Sequence, residues 1–263
     1  MASQRRRQSG CDDRTGEENM KQEILKITEN IRIAENVYRM TLEGPELEEQ
    51  KPGQFVNIRL EGQFLRRPIS VHDSEPGRLV IIYKAVGKGT EQMGRMAAGE
   101  TLNVLTGLGN GYDLSKAGDK PLLLGGGVGV PPLYMLARKL RAQGKDVTAV
   151  LGFNTKAEVF GEEDFKALGC AVTVTTADGS YGTRGFVTDA LPEAYSTFYT
   201  CGPEPMLKAV YKKTKTSGQF SFEERMGCGF GACMGCSCKT ITGYKRICRE
   251  GPVLEKEEIL WED

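Results

Sequence analysis

The chain has 263 residues, enough for two modest domains, or for three if one is a small module organised around a metal centre. Its 35 Lys and Arg balance 35 Asp and Glu, so no overall field draws it to nucleic acid or to an anionic membrane surface. The most apolar stretch, residues 122–137, is interrupted by Gly125, Gly126, Gly127, Gly129, Pro131 and Pro132. It falls short of the roughly 18 residues that a spanning helix needs, so no membrane partner is expected.

In chain order, residues 1–20 read as a disordered tail. Arg5, Arg6 and Arg7 have no apolar run behind them and are followed by Asp12, Asp13, Glu17 and Glu18. This fits no export signal and leaves Met20 as an alternative start. The expected location is the cytoplasm.

Residues 21–116 hold short segments of period-two alternation, such as Ile31-Arg32-Ile33 and residues 55–60, separated by turns at Gly44-Pro45, Pro52-Gly53 and Pro76-Gly77. That pattern predicts an antiparallel barrel. Within it lie Arg66-Arg67-Pro68-Ile69-Ser70-Val71, then Ile81-Ile82-Tyr83-Lys84-Ala85 and Gly87-Lys88-Gly89-Thr90. Arg67 suits a phosphate, Ser70 a heterocycle edge, and the backbone at Gly89-Thr90 a second phosphate. The plain alternative is an edge strand ended by Pro68 and followed by a glycine turn. His72, the sole histidine, is expected in a loop beside Asp73, solvated or capped, with no catalytic role.

Residues 117–218 change rhythm. A strand at 122–124, a helix from Pro131 towards Ala142 and strands at 147–152, 171–176 and 197–200 predict an α/β domain with a parallel sheet. The turn Gly125-Gly126-Gly127-Val128-Gly129-Val130-Pro131-Pro132 lies between strand and helix, where backbone N–H groups can hold a pyrophosphate. It departs from the usual dinucleotide fingerprint, because Pro132 stands where a third glycine is expected. A glycine hinge before a proline-started helix is the alternative. A second turn, Cys201-Gly202-Pro203, follows the strand at 197–200, and Lys156 and Arg184 are candidate phosphate partners nearby.

Residues 219–263 form the third segment, a module expected to need a metal. Five of the eight cysteines fall between Cys228 and Cys248. Cys228, Cys233, Cys236 and Cys248 follow the C-x4-C-x2-C…C spacing of plant-type [2Fe-2S] proteins. Gly227, Gly229, Gly231 and Gly235 allow a tight loop. A zinc site on the same cysteines is the alternative, although zinc modules pair two C-x2-C knuckles. Cys236 and Cys238 both qualify as the third ligand by type; the two-residue gap after Cys233 favours Cys236 and leaves Cys238 as a packed thiol.

Residues 20–263 resemble the ferredoxin-NADP reductase superfamily, in which an Arg-x-x-Ser motif in a barrel precedes a nicotinamide domain. Within it, the run from Glu224 to Cys236 followed by Tyr244 to Val253 resembles the electron-transfer subunits of B-type, NAD-linked dihydroorotate dehydrogenases. The resemblance implies a ferredoxin reductase-like fold with a small C-terminal [2Fe-2S] module. It also implies FAD on Arg67, Pro68, Ile69, Ser70, Ile82, Tyr83, Lys84, Gly89 and Thr90. NAD is implied on Gly125, Gly126, Gly127, Gly129, Cys201, Gly202 and Pro203. The implied partner is an FMN-containing dihydroorotate dehydrogenase catalytic subunit, in a heterotetramer of two copies of each chain. Electrons then pass from that FMN through the cluster and FAD to NAD, in pyrimidine biosynthesis, with no catalytic side chain on this subunit. Two other readings stay open on residues alone: the flavin subunit of a ferredoxin-NADP transhydrogenase or sulfide dehydrogenase, and a non-catalytic metal-binding interaction module.

Overall fold

The computed structural model describes residues 20–261, so the expected tail, apart from Met20, lies outside the described residues. Among the described residues, six strands close into a barrel: β1 (Lys21–Ala34), β2 (Val37–Glu43), β3 (Phe55–Arg59), β4 (Arg67–Glu75), β5 (Arg78–Lys84) and β6 (Thr101–Leu108), in the order β1-β2-β5-β4-β3-β6. Alternate side chains turn inward, so Ile27, Met40, Leu42, Val56, Ile58, Leu79, Ile81 and Val104 fill the interior and are buried. Helix α1 (Lys88–Gly94) follows β5.

The strand pairing opens the barrel at one point. β4 and β5 are joined only from Val71 opposite Ile81 towards the turn at residues 76–77, while residues 67–70 of β4 pair on their other side with β3. The two strands therefore diverge beyond Val71, leaving Arg67–Ser70 and Ile82–Lys84 on opposite sides of a split. Pro68 does not end the strand, as one sequence alternative had it. It lies inside β4 opposite Asn57, and its missing N–H costs nothing on the side where β5 has moved away.

The second half is a seven-stranded sheet among the described residues, in the order β10-β9-β8-β7-β11-β12-β15. It comprises β7 (Pro121–Gly126), β8 (Thr148–Phe153), β9 (Ala171–Thr176), β10 (Thr183–Arg184), β11 (Thr197–Cys201), β12 (Gly218–Ser221) and β15 (Val253–Glu255). Its pairings are parallel except for β15 against β12. Helix α2 (Pro131–Ala142) starts on Pro131 and Pro132, buries Leu133, Leu136, Ala137 and Leu140 at helical spacing, and ends before Gly144 at φ +77°. Burying each such leucine contributes about 2 kcal/mol. Helices α3 (Glu162–Ala167) and α4 (Glu204–Lys213) complete this layer, and β13 (Ser237–Thr240) and β14 (Gly243–Arg246) form a small hairpin. An expected boundary at residue 218 cuts a shared sheet: β12 and β15, either side of the cysteine loop, are strands of it.

Helix α2 also locks the two halves together. Arg138 donates to the Asp73 carboxylate at 2.8 and 3.1 Å and to the Ser74 carbonyl. His72 is not the loop residue expected from sequence. It is 7% exposed on β4, its Nδ1 lies 3.2 Å from the Pro131 carbonyl, and its ring stacks on Tyr134 at 4.5 Å. Burial drives its pKa down to about 4, so the ring is a neutral donor that ties the barrel to the first turn of α2.

Candidate cofactor sites

The split between β4 and β5 is a cleft of about 320 Å³ whose walls include Arg67, Pro68, Ile69, Ser70, Ile82, Tyr83, Lys84 and Thr90. Eight of the nine residues that sequence assigned to one ligand are thus brought together. The ninth, Gly89, lies under the Arg67 guanidinium, where a Cβ would stand 2.3 Å from Nε. Arg67 donates to the Leu65 carbonyl and to Gln63 Oε1. The Thr90 hydroxyl accepts from the Val86 and Gly87 amides, so it shapes the turn. Burial raises the Tyr83 phenol to about 12, keeping it neutral.

Other walls come from residues that the sequence did not assign to this site: Phe55, Val128, Phe222, Glu223, Met226 and Pro252. Glu223 keeps open surface, yet the cleft walls displace much of its surrounding water and raise its carboxyl pKa. Phe222, Glu223 and Met226 reach the cleft through tertiary folding, carried there by the segment that leaves β12.

A second cavity of about 480 Å³ lies at the carboxyl ends of the parallel strands, lined in part by Gly126, Gly127, Gly152, Asn154, Pro203 and Met206. This is where open α/β sheets take ligands. Gly127 has φ +53° with open space around it, and at Gly129 a Cβ would fall 2.3 Å from the Cys201 carbonyl oxygen. The close contact that Pro132 cannot supply is made by Gly125, whose Cβ would meet Val130 at 2.8 Å and Leu133 at 3.1 Å. Gly125 and Cys201 therefore build the turn from behind and line none of these cavities. Cys201 is 1% exposed, and burial pushes its thiol pKa far up. Gly202 lines a separate hollow against α4 and Trp261. Lys156 and Arg184 lie outside the walls of the large cavity, and the Lys156 ammonium sits over Tyr181.

A narrow space of about 160 Å³ connects cleft and cavity, sharing Lys84, Val128 and Glu223 with the first and Gly126, Gly127, Glu158 and Pro203 with the second.

The cysteine loop follows directly. Gly229 and Gly231 take φ +81° and +93°, and Met234 is left-handed at φ +59°, giving a tight wrap. The thiols form two pairs. The Cys228 amide points at Cys233 Sγ at 3.5 Å and the Cys233 amide returns to Cys228 Sγ at 3.4 Å, while the Cys248 amide points at Cys236 Sγ at 3.4 Å. Burial opposes ionisation of Cys228, but the amides of Phe230, Cys233 and Ala232 outweigh it and bring the thiol to about 6. Burial and Cys236 push Cys248 up to about 12. Among the described residues no group of three or more His, Cys, Asp or Glu side chains is drawn together around one ion. Two thiol pairs with amides aimed at sulfur fit a two-iron centre with two thiolates per iron. Cys238 stands apart on β13, opposite Lys245.

Residues 223–260 match the family described as the iron-sulfur cluster binding domain of dihydroorotate dehydrogenase B, and residues 123–212 match the oxidoreductase NAD-binding domain. The chain is 44% identical over 253 residues to the dihydroorotate dehydrogenase B (NAD(+)) electron transfer subunit of Bacillus caldolyticus, covering 90% of this chain and 98% of that one. It is 44% identical over 251 residues to the protein of the same name from Fusobacterium nucleatum subsp. nucleatum, covering 89% and 96%. Among solved structures, a chain of an NADH-dependent reduced ferredoxin-NADP oxidoreductase superposes with a TM-score of 0.82 at 32% identity, covering 90% of each chain. An Amycolatopsis cytochrome P450 reductase superposes at 0.65 with 23% identity over 74% of this chain and 65% of its own, a likeness of fold alone.

Proposed function

The chain belongs to the family of electron transfer subunits of dihydroorotate dehydrogenase B (NAD(+)), and from that premise we propose where its three cofactors sit and how it works with its partner. It is an oxidoreductase subunit that serves dihydroorotate oxidation in pyrimidine synthesis. FAD belongs in the split between β4 and β5, with Arg67 available to a phosphate and Ser70 to the ring edge. NAD belongs on the Gly126–Gly129 turn and Pro203, and a [2Fe-2S] cluster on Cys228, Cys233, Cys236 and Cys248. NAD exchanges a hydride and the cluster single electrons, so FAD supplies the conversion between them.

The polypeptide's part is to bind, orient and insulate. Burial keeps Tyr83 and Cys201 protonated. We place dihydroorotate oxidation on the catalytic partner, in keeping with the electron-transfer name that the relatives of this chain carry. We take that partner to carry FMN and to assemble with this chain two-to-two in the cytoplasm.

The observation that carries this reading is continuity: cleft, connecting space and cavity share lining residues, and Met226 leads from the cleft to Cys228 two residues later. The test is co-expression with a dihydroorotate dehydrogenase catalytic subunit, followed by flavin, iron and mass determination and an assay of dihydroorotate-driven NAD reduction. A coloured complex that reduces NAD supports the reading. A colourless chain sinks it. A coloured chain that couples NADH to ferredoxin and never to dihydroorotate favours a transhydrogenase role, which the 32% identical oxidoreductase chain keeps in view.

A further inference from the structure

Asn57 lies on β3 between Val56 and Ile58, opposite Pro68 of the cleft strand, and is 1% exposed. Its Nδ2 donates to the Cys228 carbonyl at 3.1 Å across 171 residues of sequence. Its Oδ1 is buried with no partner. Turning the amide over would set Oδ1 against the Cys228 carbonyl oxygen, so the carbonyl dictates the orientation and leaves the other end unsatisfied. A buried polar atom without a partner costs stability, and the alternation that turns Val56 and Ile58 into the barrel points Asn57 outward, to the cysteine loop. The contact is also close: a Cβ at Gly229 would stand 2.2 Å from Asn57 Nδ2.

The backbone of Asn57 is held as firmly as its side chain. Arg66 donates to the Asn57 carbonyl at 3.1 Å and to Asn103 Oδ1 at 2.6 Å, which anchors this part of β3 to β6. On the far side of the loop, Asn110 donates to the Glu250 and Val253 carbonyls and accepts from the Val253 amide, so the segment after Cys248 is pinned independently. The first cysteine of the loop is thus registered against β3, the neighbour of the cleft strand β4, and the segment after the last cysteine against the turn that follows β6.

We propose that Asn57 is a positioning residue for single-electron transfer between FAD and the cluster, holding the Cys228 side of the loop at a fixed place relative to β4. This deepens the functional reading above and rests on it. With NADH as the reductant, FAD held in the cleft would take the hydride, and the cluster held on Cys228, Cys233, Cys236 and Cys248 would accept one of its two electrons, the other staying on the flavin until the cluster has passed the first to the partner.

The test compares the parent complex with Asn57→Leu and Asn57→Asp, each scored for FAD and iron content. Stopped-flow absorbance follows flavin bleaching and cluster reduction by NADH, and electron paramagnetic resonance reports the reduced cluster. The parent is read first: if it lacks flavin and cluster spectra, the functional reading fails before Asn57 is at issue. With cofactors present, flavin bleaching in the variants should be unchanged. Cluster reduction should slow by about tenfold, the low end of what loss of a partner behind a metal ligand costs, and the resonance should shift. Asn57→Asp, nearly the same shape but without the amide donor, decides the matter if Asn57→Leu retains no cluster. Parental reduction rates and resonance in Asn57→Asp overturn the proposal. So does loss of the cluster from both variants, because Asn57 would then serve assembly.

Discussion

The ammonium of Lys84, at the end of β5, meets the carboxylate of Glu158, in the turn after β8, at 2.7 Å. The pair lines the narrow space between the β4–β5 cleft and the cavity at the ends of the parallel strands. Burial works against charge on Glu158, but Lys84 and the Asn154 amides hold its carboxyl below the usual range. A double-mutant cycle on Lys84→Met and Glu158→Gln should give a coupling of about 1 kcal/mol in denaturant unfolding. Additive single effects would mean that the pair does not join the halves.

His72 sets an acid limb to stability. Its pKa falls from 6.5 to about 4 on folding, so the unfolded chain binds the extra proton between those values and stability drops as pH falls. The contribution is fully present above pH 6.5, is lost through pH 4, and amounts to about 3 kcal/mol. His72→Phe, studied by urea unfolding at a series of pH values, should be less stable at neutral pH and should lose that share of the slope. An unchanged slope would show that His72 is not buried neutral.

Two glycines of one turn should respond differently to alanine. At Gly129 the added Cβ meets backbone at 2.3 Å, and relief requires β11 to move. Gly129→Ala should cost about 3 kcal/mol and abolish NADH oxidation with artificial acceptors. Gly127→Ala meets no atom but holds φ +53°, so it should cost only about 1 kcal/mol. Thermal unfolding and diaphorase assays on both variants check the contrast, and equal penalties would count against it.

Cysteine replacement separates ligands from bystanders. Cys233→Ser should remove the cluster's visible absorbance and its iron, because Cys233 and Cys228 exchange amide contacts around one thiol pair. Cys238→Ser should keep both, since burial raises that thiol and its strand pairs it with Lys245. A cluster lost in the second variant and kept in the first would reassign the third ligand.

Much of this protein was legible without coordinates where the informative residues are close together in the chain. The cysteine spacing and interspersed glycines describe a loop whose geometry is short-range. Strand and helix alternation after Pro121, and the glycine turn before Pro131, are likewise local signals, because backbone periodicity and φ preferences act over a few residues. The reading of His72 as a loop residue failed because a strand turning into a domain interface has the same local composition as one turning towards water.

What only the tertiary structure decided is where the strands part and what crosses between halves. The cleft exists because β4 and β5 pair from Val71 and Ile81 and no further, a register set by the whole barrel. The return of β15 beside β12 and the contact of Asn57 with Cys228 bring together residues far apart in sequence. Such meetings depend on ladder register and loop closure summed over the fold, and no local pattern encodes that sum.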